Sequence, residues 1–140
     1  MAAPPSSYTV HGEGAGGSAT VRAGSGTIAF DASWGGEPSG LPGPAELLAS
    51  AFTACMLKNL ERAGSLLGFS YEHAEVDVTA RRQDAPPKFV ELSYEMRITT
   101  TETQHRVDLV HRNLRSYGTV FNTLAEVCDV HGTVVAVAPQ

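Results

Sequence analysis

Charged residues are scarce in this sequence: Asp, Glu, Lys and Arg make up 18% of its 140 residues, against roughly 25% in typical soluble proteins. A surface with so little charge leaves apolar area that a second subunit can cover, so the composition favours a homodimer or larger homo-oligomer. The ten Lys and Arg residues are scattered and the net charge is −5. This excludes the concentrated basic surface of a nucleic-acid-binding protein, and we expect no nucleic-acid partner.

Long apolar runs are also missing. No stretch approaches the ~18 consecutive apolar residues of a membrane span, and residues 1–7 have neither the basic start nor the apolar run of a signal peptide. We therefore expect a cytoplasmic protein with no membrane partner. The sequence has no Gly-rich phosphate loop, no Gly-x-Ser-x-Gly elbow and no His-Glu-x-x-His helix, so nucleotide-binding, serine-hydrolase and zinc-protease functions have no support.

Only two cysteines are present, Cys55 and Cys128. In a reducing compartment such a pair rarely forms a permanent disulfide, which leaves three interpretations open: transient redox chemistry, a metal site, or two thiols that only pack in the core. A disulfide would need the two Cα atoms within about 4.4–6.8 Å of each other. The spacing of Cys128 and His131 suits two metal ligands, but no second pair of closely spaced Cys or His residues accompanies it, so the metal signal is weak.

The order of strand-forming and helix-forming segments predicts a single α+β domain over residues 1–140, with residues 1–7 flexible. Pro44 suits the first position of a helix, and a long helix is predicted from there to Ala63, ended by Gly64. Because residues 47–57 are almost wholly apolar, most of this helix is expected to be buried on all sides, up to the polar residues that resume at Lys58. An N-terminal meander of antiparallel strands, separated by Gly clusters at 12–17 and 24–26, is predicted over residues 8–10, 18–22 and 27–31.

The second half of the chain alternates apolar and polar residues over 71–81 and 89–101, which predicts a long β-hairpin. Apolar residues then recur at helical spacing from Val107 to Val127 with an interruption at Gly118, which predicts two helices or one broken helix. The Val-rich segment 131–138 predicts a C-terminal strand.

A nucleophilic cysteine must be held as the thiolate, and a nearby cation favours that form. The helix of Cys55 offers Lys58 and Arg62 beyond its apolar stretch, whereas Arg22 stands on a predicted N-terminal strand. From its position on a predicted strand alone, Arg22 is more simply interpreted as a solvated surface residue. Glu46 is equally a first-turn acid that favours the positive end of the helix dipole.

The segment from Gly43 to Cys55, Gly-Pro-Ala-Glu-Leu-Leu-Ala-Ser-Ala-Phe-Thr-Ala-Cys, resembles the cysteine helix of the osmotically inducible protein C / organic hydroperoxide resistance family. The hairpin after it, the helical run from Tyr117 to Leu124 and a second cysteine near the C-terminus also follow the order of elements in this family. The resemblance extends over residues 18–137.

This resemblance implies an intertwined α+β homodimer with two sites at the subunit interface and no metal or organic cofactor. By position, Cys55 matches the family's peroxidatic cysteine and Cys128 its resolving cysteine. Arg22 matches the arginine that stabilises the thiolate, and Glu46 matches the glutamate that pairs with that arginine.

The leading hypothesis is therefore a thiol-dependent peroxidase for organic hydroperoxides, with a Cys55 sulfenic acid that condenses with Cys128 and an external dithiol as reductant. The main alternative is a non-enzymatic dimer that holds a small apolar ligand at its interface. Two departures from the family pattern favour this alternative: Ala45 occupies the usual glutamate position, one residue before Glu46, and Asp129 replaces the Pro that usually follows the second cysteine.

Overall fold

The computed structural model describes residues 6–140. They form two compact units, the first ending at Leu48 and the second running from Ala49 to Gln140. The flexibility expected of residues 1–7 falls mostly on residues 1–5, which lie outside the described part, and the single domain stays a prediction. None of the helices within residues 6–140 combines the length and the apolar character of a membrane span. The mixed α+β class is confirmed.

The first unit contains a three-stranded antiparallel sheet of β1 (Val10–Ala15), β2 (Ser18–Ala23) and β3 (Gly26–Asp31). The predicted meander is therefore confirmed, but β1 runs through glycines that were expected to form a turn. The turn is confined to Gly16 and Gly17, whose φ angles of 63° and 86° suit a tight hairpin. Pairing with β2 along its whole length holds the other glycines extended, because cross-strand contacts outweigh the weak strand preference of glycine.

Helix α1 (Pro44–Leu67) is longer than predicted, because Gly64 lies inside it. The helix ends where Gly68 takes a φ of 62°. The Phe69 N–H then donates a hydrogen bond to the Gly64 carbonyl oxygen at 2.9 Å, the pairing of a Schellman C-cap. A helix interior tolerates a glycine at a small cost in stability, whereas a residue with a positive φ is almost always glycine. Gly68 therefore terminates the helix and Gly64 does not.

The buried side of α1 is a single stripe: Phe52, Met56, Leu60 and Ala63 are at most 1% exposed. Other apolar residues of the helix remain open, with Leu57 39% exposed and Leu66 64% exposed. The burial on all sides that the apolar run predicts is thus not found within residues 6–140 of one chain. A helix that packs on one layer covers only the stripe that faces it, and the remaining apolar residues need another surface.

The second unit contains a three-stranded sheet of β4 (His73–Asp84), β5 (Pro87–Thr99) and β6 (Asp129–Val137). Strands β4 and β5 form the predicted antiparallel hairpin, and β6 is the predicted C-terminal strand, parallel to β5. A parallel neighbour requires a crossover, which is formed by α2 (Gln104–Tyr117) and α3 (Thr119–Ala125). The predicted interruption at Gly118 separates these two helices.

The core of this unit lies on one face of its sheet. Alternate residues of β5 point into it and are at most 4% exposed, and they pack with the buried side chains of β6 and the helices. The β5 members are Leu92, Tyr94, Met96 and Ile98. The opposite face is polar; there the Arg97 guanidinium donates to the carboxylates of Glu75, Glu95 and Asp77 at 3.0, 3.0 and 2.6 Å.

Candidate functional site

Cys55 lies in the middle of α1 with a partly buried side chain, next to the junction between α2 and α3. Its Sγ atom faces Gly118: a Cβ atom at that glycine would lie only 3.0 Å from the sulfur. The φ of Gly118 is −76°, which any residue can adopt, so glycine is needed here for space and not for conformation. The α2–α3 junction thereby approaches the Cys55 sulfur more closely than any other residue type would allow.

Asn59, four residues after Cys55 on the same helix, is the side chain that the structure directs at this sulfur. Its Nδ2 atom donates to the Cys55 carbonyl oxygen at 2.8 Å and lies 3.5 Å from Cys55 Sγ. A carbonyl oxygen can only accept, so the amide nitrogen must be the end of Asn59 that faces Cys55. The amide has two hydrogens, enough for both acceptors.

Cys128 has the opposite role in its hydrogen bond. Its thiol donates to the Leu124 carbonyl oxygen at 3.1 Å. Burial raises the pKa of the Cys128 thiol, and the neighbouring Asp129 carboxylate raises this pKa further. The structure therefore holds Cys128 protonated near neutral pH.

The two cysteines are both free thiols, and they contact opposite ends of α3. Cys55 faces Gly118, just before the first residue of this helix, and Cys128 bonds to Leu124 near its last residue. The helix has seven residues, so a span of about 10 Å separates its ends. Both members of the predicted redox pair thus border the same short element.

Arg62 lies on the same side of α1 as Cys55 and Asn59, one further turn along the helix. Its guanidinium stacks on the Tyr117 ring, 4.6 Å from the centroid, and donates to Asn113 Oδ1 at 3.2 Å. These contacts direct its charge towards α2.

Arg22 and Glu46 lie in the first unit. The Arg22 side chain is exposed on β2, opposite His11 and Thr27 in the sheet register. Glu46 caps its own helix, because its Oε1 accepts a hydrogen bond from the Gly43 N–H at 3.1 Å. Within the described residues no ion pair joins Arg22 to Glu46, and the roles assigned to both by family resemblance stay predictions.

The structure places His131, but not Cys128, in a group of possible metal ligands. His131 Nε2 lies 3.1 Å from a Glu91 oxygen and 3.8 Å from an Asp129 oxygen, and these three side chains place their ligand atoms within 4.8 Å of one another. Cys128 is not in this group, since its thiol points to the Leu124 carbonyl. The cluster lies on the exposed face of the sheet, and Glu91 also pairs with Arg81 at 3.4 Å. It has the features of a solvated ion-pair network.

Each unit has a surface cavity. One of about 430 Å³ is lined by residues between Asp31 and Glu46, and one of about 520 Å³ by residues between Glu61 and Glu72. Neither cavity is lined by Cys55 or Cys128.

Sequence reasoning missed two residues of this site, Asn59 and Gly118. The spacing of Asn59 is a usable signal, because residues four apart on a helix lie on the same side and their side chains meet. Gly118 was recognised as a helix break, but its contact with Cys55 depends on how α2 and α3 pack, which no local pattern reveals.

Comparison with known proteins gives one family and several similar structures. Residues 36–131 match the family model described as OsmC-like protein. The chain is similar to the crystal structure of an OsmC-like protein from Mycoplasma pneumoniae, with a TM-score of 0.84 and 18% identity over 94% of this chain and 98% of that one. No curated protein matches the sequence.

Two further similar structures have more specific names. One is described as an organic hydroperoxide resistance protein OsmC, predicted redox protein and regulator of sulfide bond formation, from Legionella pneumophila; its TM-score is 0.75, with 19% identity over 95% of this chain and 100% of that one. The other is the organic hydroperoxide resistance protein OhrB of Bacillus subtilis, with a TM-score of 0.64 and 15% identity over 92% of this chain and 98% of that one. At such identities the similarity establishes the fold.

Proposed function

Because this chain belongs to the OsmC-like protein family, we propose that it is a thiol-dependent peroxidase that reduces organic hydroperoxides. The family match confirms the resemblance seen in the segment from Gly43 to Cys55. Two proteins of the same fold are named for organic hydroperoxide resistance, which supports a peroxide-related redox role.

The observation that carries the proposal is the difference between the two thiols. Cys55 Sγ accepts a hydrogen bond from the Asn59 amide, and a donor directed at sulfur favours the thiolate. Cys128 instead donates its proton to a carbonyl, and burial raises its pKa. Since the thiolate is the nucleophile, Cys55 is the thiol that attacks first and Cys128 the thiol that acts second.

The proposed reaction has three steps. The Cys55 thiolate attacks the terminal oxygen of the hydroperoxide, the O–O bond breaks, and the alkoxide takes a proton to leave as an alcohol; Cys55 is then a sulfenic acid. A movement of α3 then brings together the two sulfurs, which border its opposite ends. The Cys128 sulfur attacks the Cys55 sulfur, a disulfide forms, and the sulfenic hydroxyl leaves with the Cys128 thiol proton as water. An external dithiol then exchanges with this disulfide, which restores both thiols and leaves the dithiol oxidised. In a reducing cytoplasm the disulfide would be transient.

A peroxide-consumption assay tests this function. Wild-type protein with cumene hydroperoxide and dithiothreitol is expected to consume the peroxide catalytically, because the dithiol regenerates both thiols. Without the dithiol, one equivalent of peroxide should produce a peptide pair joined through Cys55 and Cys128, lighter by two hydrogens. The Cys128→Ser variant should instead carry a sulfenic acid, or its overoxidised products, on Cys55.

Two outcomes of this assay would contradict the proposal. Oxidation that appears only on Cys128, in wild type and in Cys55→Ser, would reverse the order of the two thiols. A folded protein that consumes no peroxide but binds a small apolar fluorescent ligand would be the non-enzymatic dimer of the alternative hypothesis.

We also propose that two copies of the chain form the functional unit, as the family resemblance implies. The apolar residues that α1 leaves open, such as Leu57 and Leu66 at 39% and 64% exposure, support a partner surface on this helix. Sedimentation equilibrium at micromolar concentration is expected to give twice the 14.8 kDa chain mass. Leu57→Glu should shift the protein towards the monomer, whereas Arg82→Glu, a charge change at an exposed strand position, should not. A stable wild-type monomer would refute the assembly.

A further inference from the structure

In the proposed reaction the Asn59 amide distinguishes Cys55 from Cys128, and its geometry defines a more specific role at the sulfur. Its side chain is partly buried on the same helix side as Cys55, and its Nδ2 lies 3.5 Å from Cys55 Sγ, within the distance of an N–H to sulfur hydrogen bond. Its strong bond to the Cys55 carbonyl oxygen, at 2.8 Å, restricts the side-chain torsions and holds the amide in this orientation. The donor is therefore held in place before any substrate arrives.

Gly118 lies beside the sulfur in a second direction. A Cβ atom at that position would lie 3.0 Å from Sγ, so the α2–α3 junction approaches the sulfur closely on that side. Within the unit formed by residues 49–140, Cys55 Sγ thus lies between the Gly118 backbone and the amide that donates to it. A hydrogen bond to an ionised acceptor is stronger than one to a neutral acceptor, so this donor favours the thiolate over the thiol.

We infer that Asn59 is a catalytic residue of this site: its amide N–H stabilises the Cys55 thiolate and keeps the sulfur oriented for attack on the peroxide. This inference rests on the proposed function for its use in peroxide reduction, but the stabilised thiolate is a property of the resting protein.

The test is a pH titration of Cys55 alkylation by iodoacetamide, in a Cys128→Ser background so that a single thiol reacts. In Asn59→Leu, which keeps the shape but removes the donor, we expect the alkylation midpoint to move to higher pH and the rate near neutral pH to fall about 3–10-fold. In Asn59→Asp, which replaces the donor by a carboxylate, the shift should be larger, because a negative charge opposes the thiolate.

A matched control is available on the neighbouring helix. Asn113 is also partly buried and helical, but it contacts Arg62. Asn113→Leu and Asn113→Asp make the same chemical changes away from the sulfur, and they should shift the midpoint less than the corresponding changes at Asn59. Far-ultraviolet circular dichroism confirms that each variant keeps its helices.

Two results would overturn the inference. If neither change at Asn59 moves the midpoint, the amide does not act on the sulfur. If Asn59→Asp moves it and Asn59→Leu does not, the effect is one of added charge and the donor has no role. Because alkylation needs no peroxide, these results decide the role of Asn59 even if the wild-type protein consumes no hydroperoxide, which would contradict the proposed function alone.

Discussion

Replacing Arg22 by Met is expected to slow organic hydroperoxide reduction by about 10–100-fold. The family resemblance assigns Arg22 to the stabilisation of the Cys55 thiolate, and Met keeps much of the apolar stem while it removes the guanidinium. If the charge acts on the sulfur, its loss raises the alkylation midpoint of Cys55 by about one to two pH units. Once the midpoint lies above the pH of the assay, each further unit lowers the thiolate fraction about tenfold. If the Arg22 guanidinium also orients the peroxide, its loss would add to this decrease.

The measurement combines two readouts on a Cys128→Ser protein with and without Arg22→Met: the pH profile of Cys55 alkylation and the single-turnover rate with cumene hydroperoxide. Arg82→Met serves as a matched control, since Arg82 is another exposed strand arginine, 3.7 Å from Asp84. An unchanged midpoint and rate in a folded Arg22→Met protein would show that Arg22 is only a solvated strand residue, as its exposed place on β2 also allows.

Replacing Gly132 by Ala is expected to lower the free energy of unfolding by about 3 kcal/mol or more, because the new methyl group has no space. A Cβ at this position would overlap the Tyr94 carbonyl oxygen and lie 2.6 Å from the Tyr94 ring. Backbone and a buried aromatic ring both have to move, in contrast to the flexible end of a side chain. Gly132 pairs directly with Tyr94 in the parallel register of β5 and β6, so the two strands themselves would separate.

The displacement would spread through the Tyr94 side chain. Tyr94 packs against Phe52 and Phe121, with ring centroids 6.0 and 6.1 Å away, and its hydroxyl bonds to His111 Nε2 at 2.6 Å. Burial lowers the pKa of His111, so near neutral pH its ring is neutral and shares this hydrogen bond with the Tyr94 hydroxyl. Moving Tyr94 therefore disturbs both the aromatic core and this hydrogen bond.

Urea unfolding followed by circular dichroism measures this effect. Gly12→Ala is the control, because Gly12 is also a strand glycine but a Cβ there would meet its neighbours at ordinary distances of 3.9 and 4.0 Å. We expect it to change the unfolding midpoint little. Equal urea midpoints for wild type and Gly132→Ala would mean that β6 accommodates the methyl group without loss of stability.

Much of the fold was predictable because it follows from local chemistry. The hairpin of β4 and β5 follows from alternating apolar residues, and the start of α1 follows from Pro44. The end of α1 was placed too early, at Gly64, because sequence alone does not tell which of two nearby glycines takes a positive φ. Similarly, the strand β1 passes through glycines because β2 pairs with it, and such pairing is not a local property.

The site shows the same division. The sequence alone determined which residue types are available: two cysteines, the helix that carries the first of them, and the segment from Gly43 to Cys55 that indicates the family. The tertiary structure decided how the two thiols differ, since the donor at Cys55, the contact with Gly118 and the carbonyl at Cys128 come from packing between segments far apart in the chain or from side-chain orientation. Residue identity is local, but the protonation of a thiol depends on the charges, donors and burial that surround it, and only the folded chain creates those.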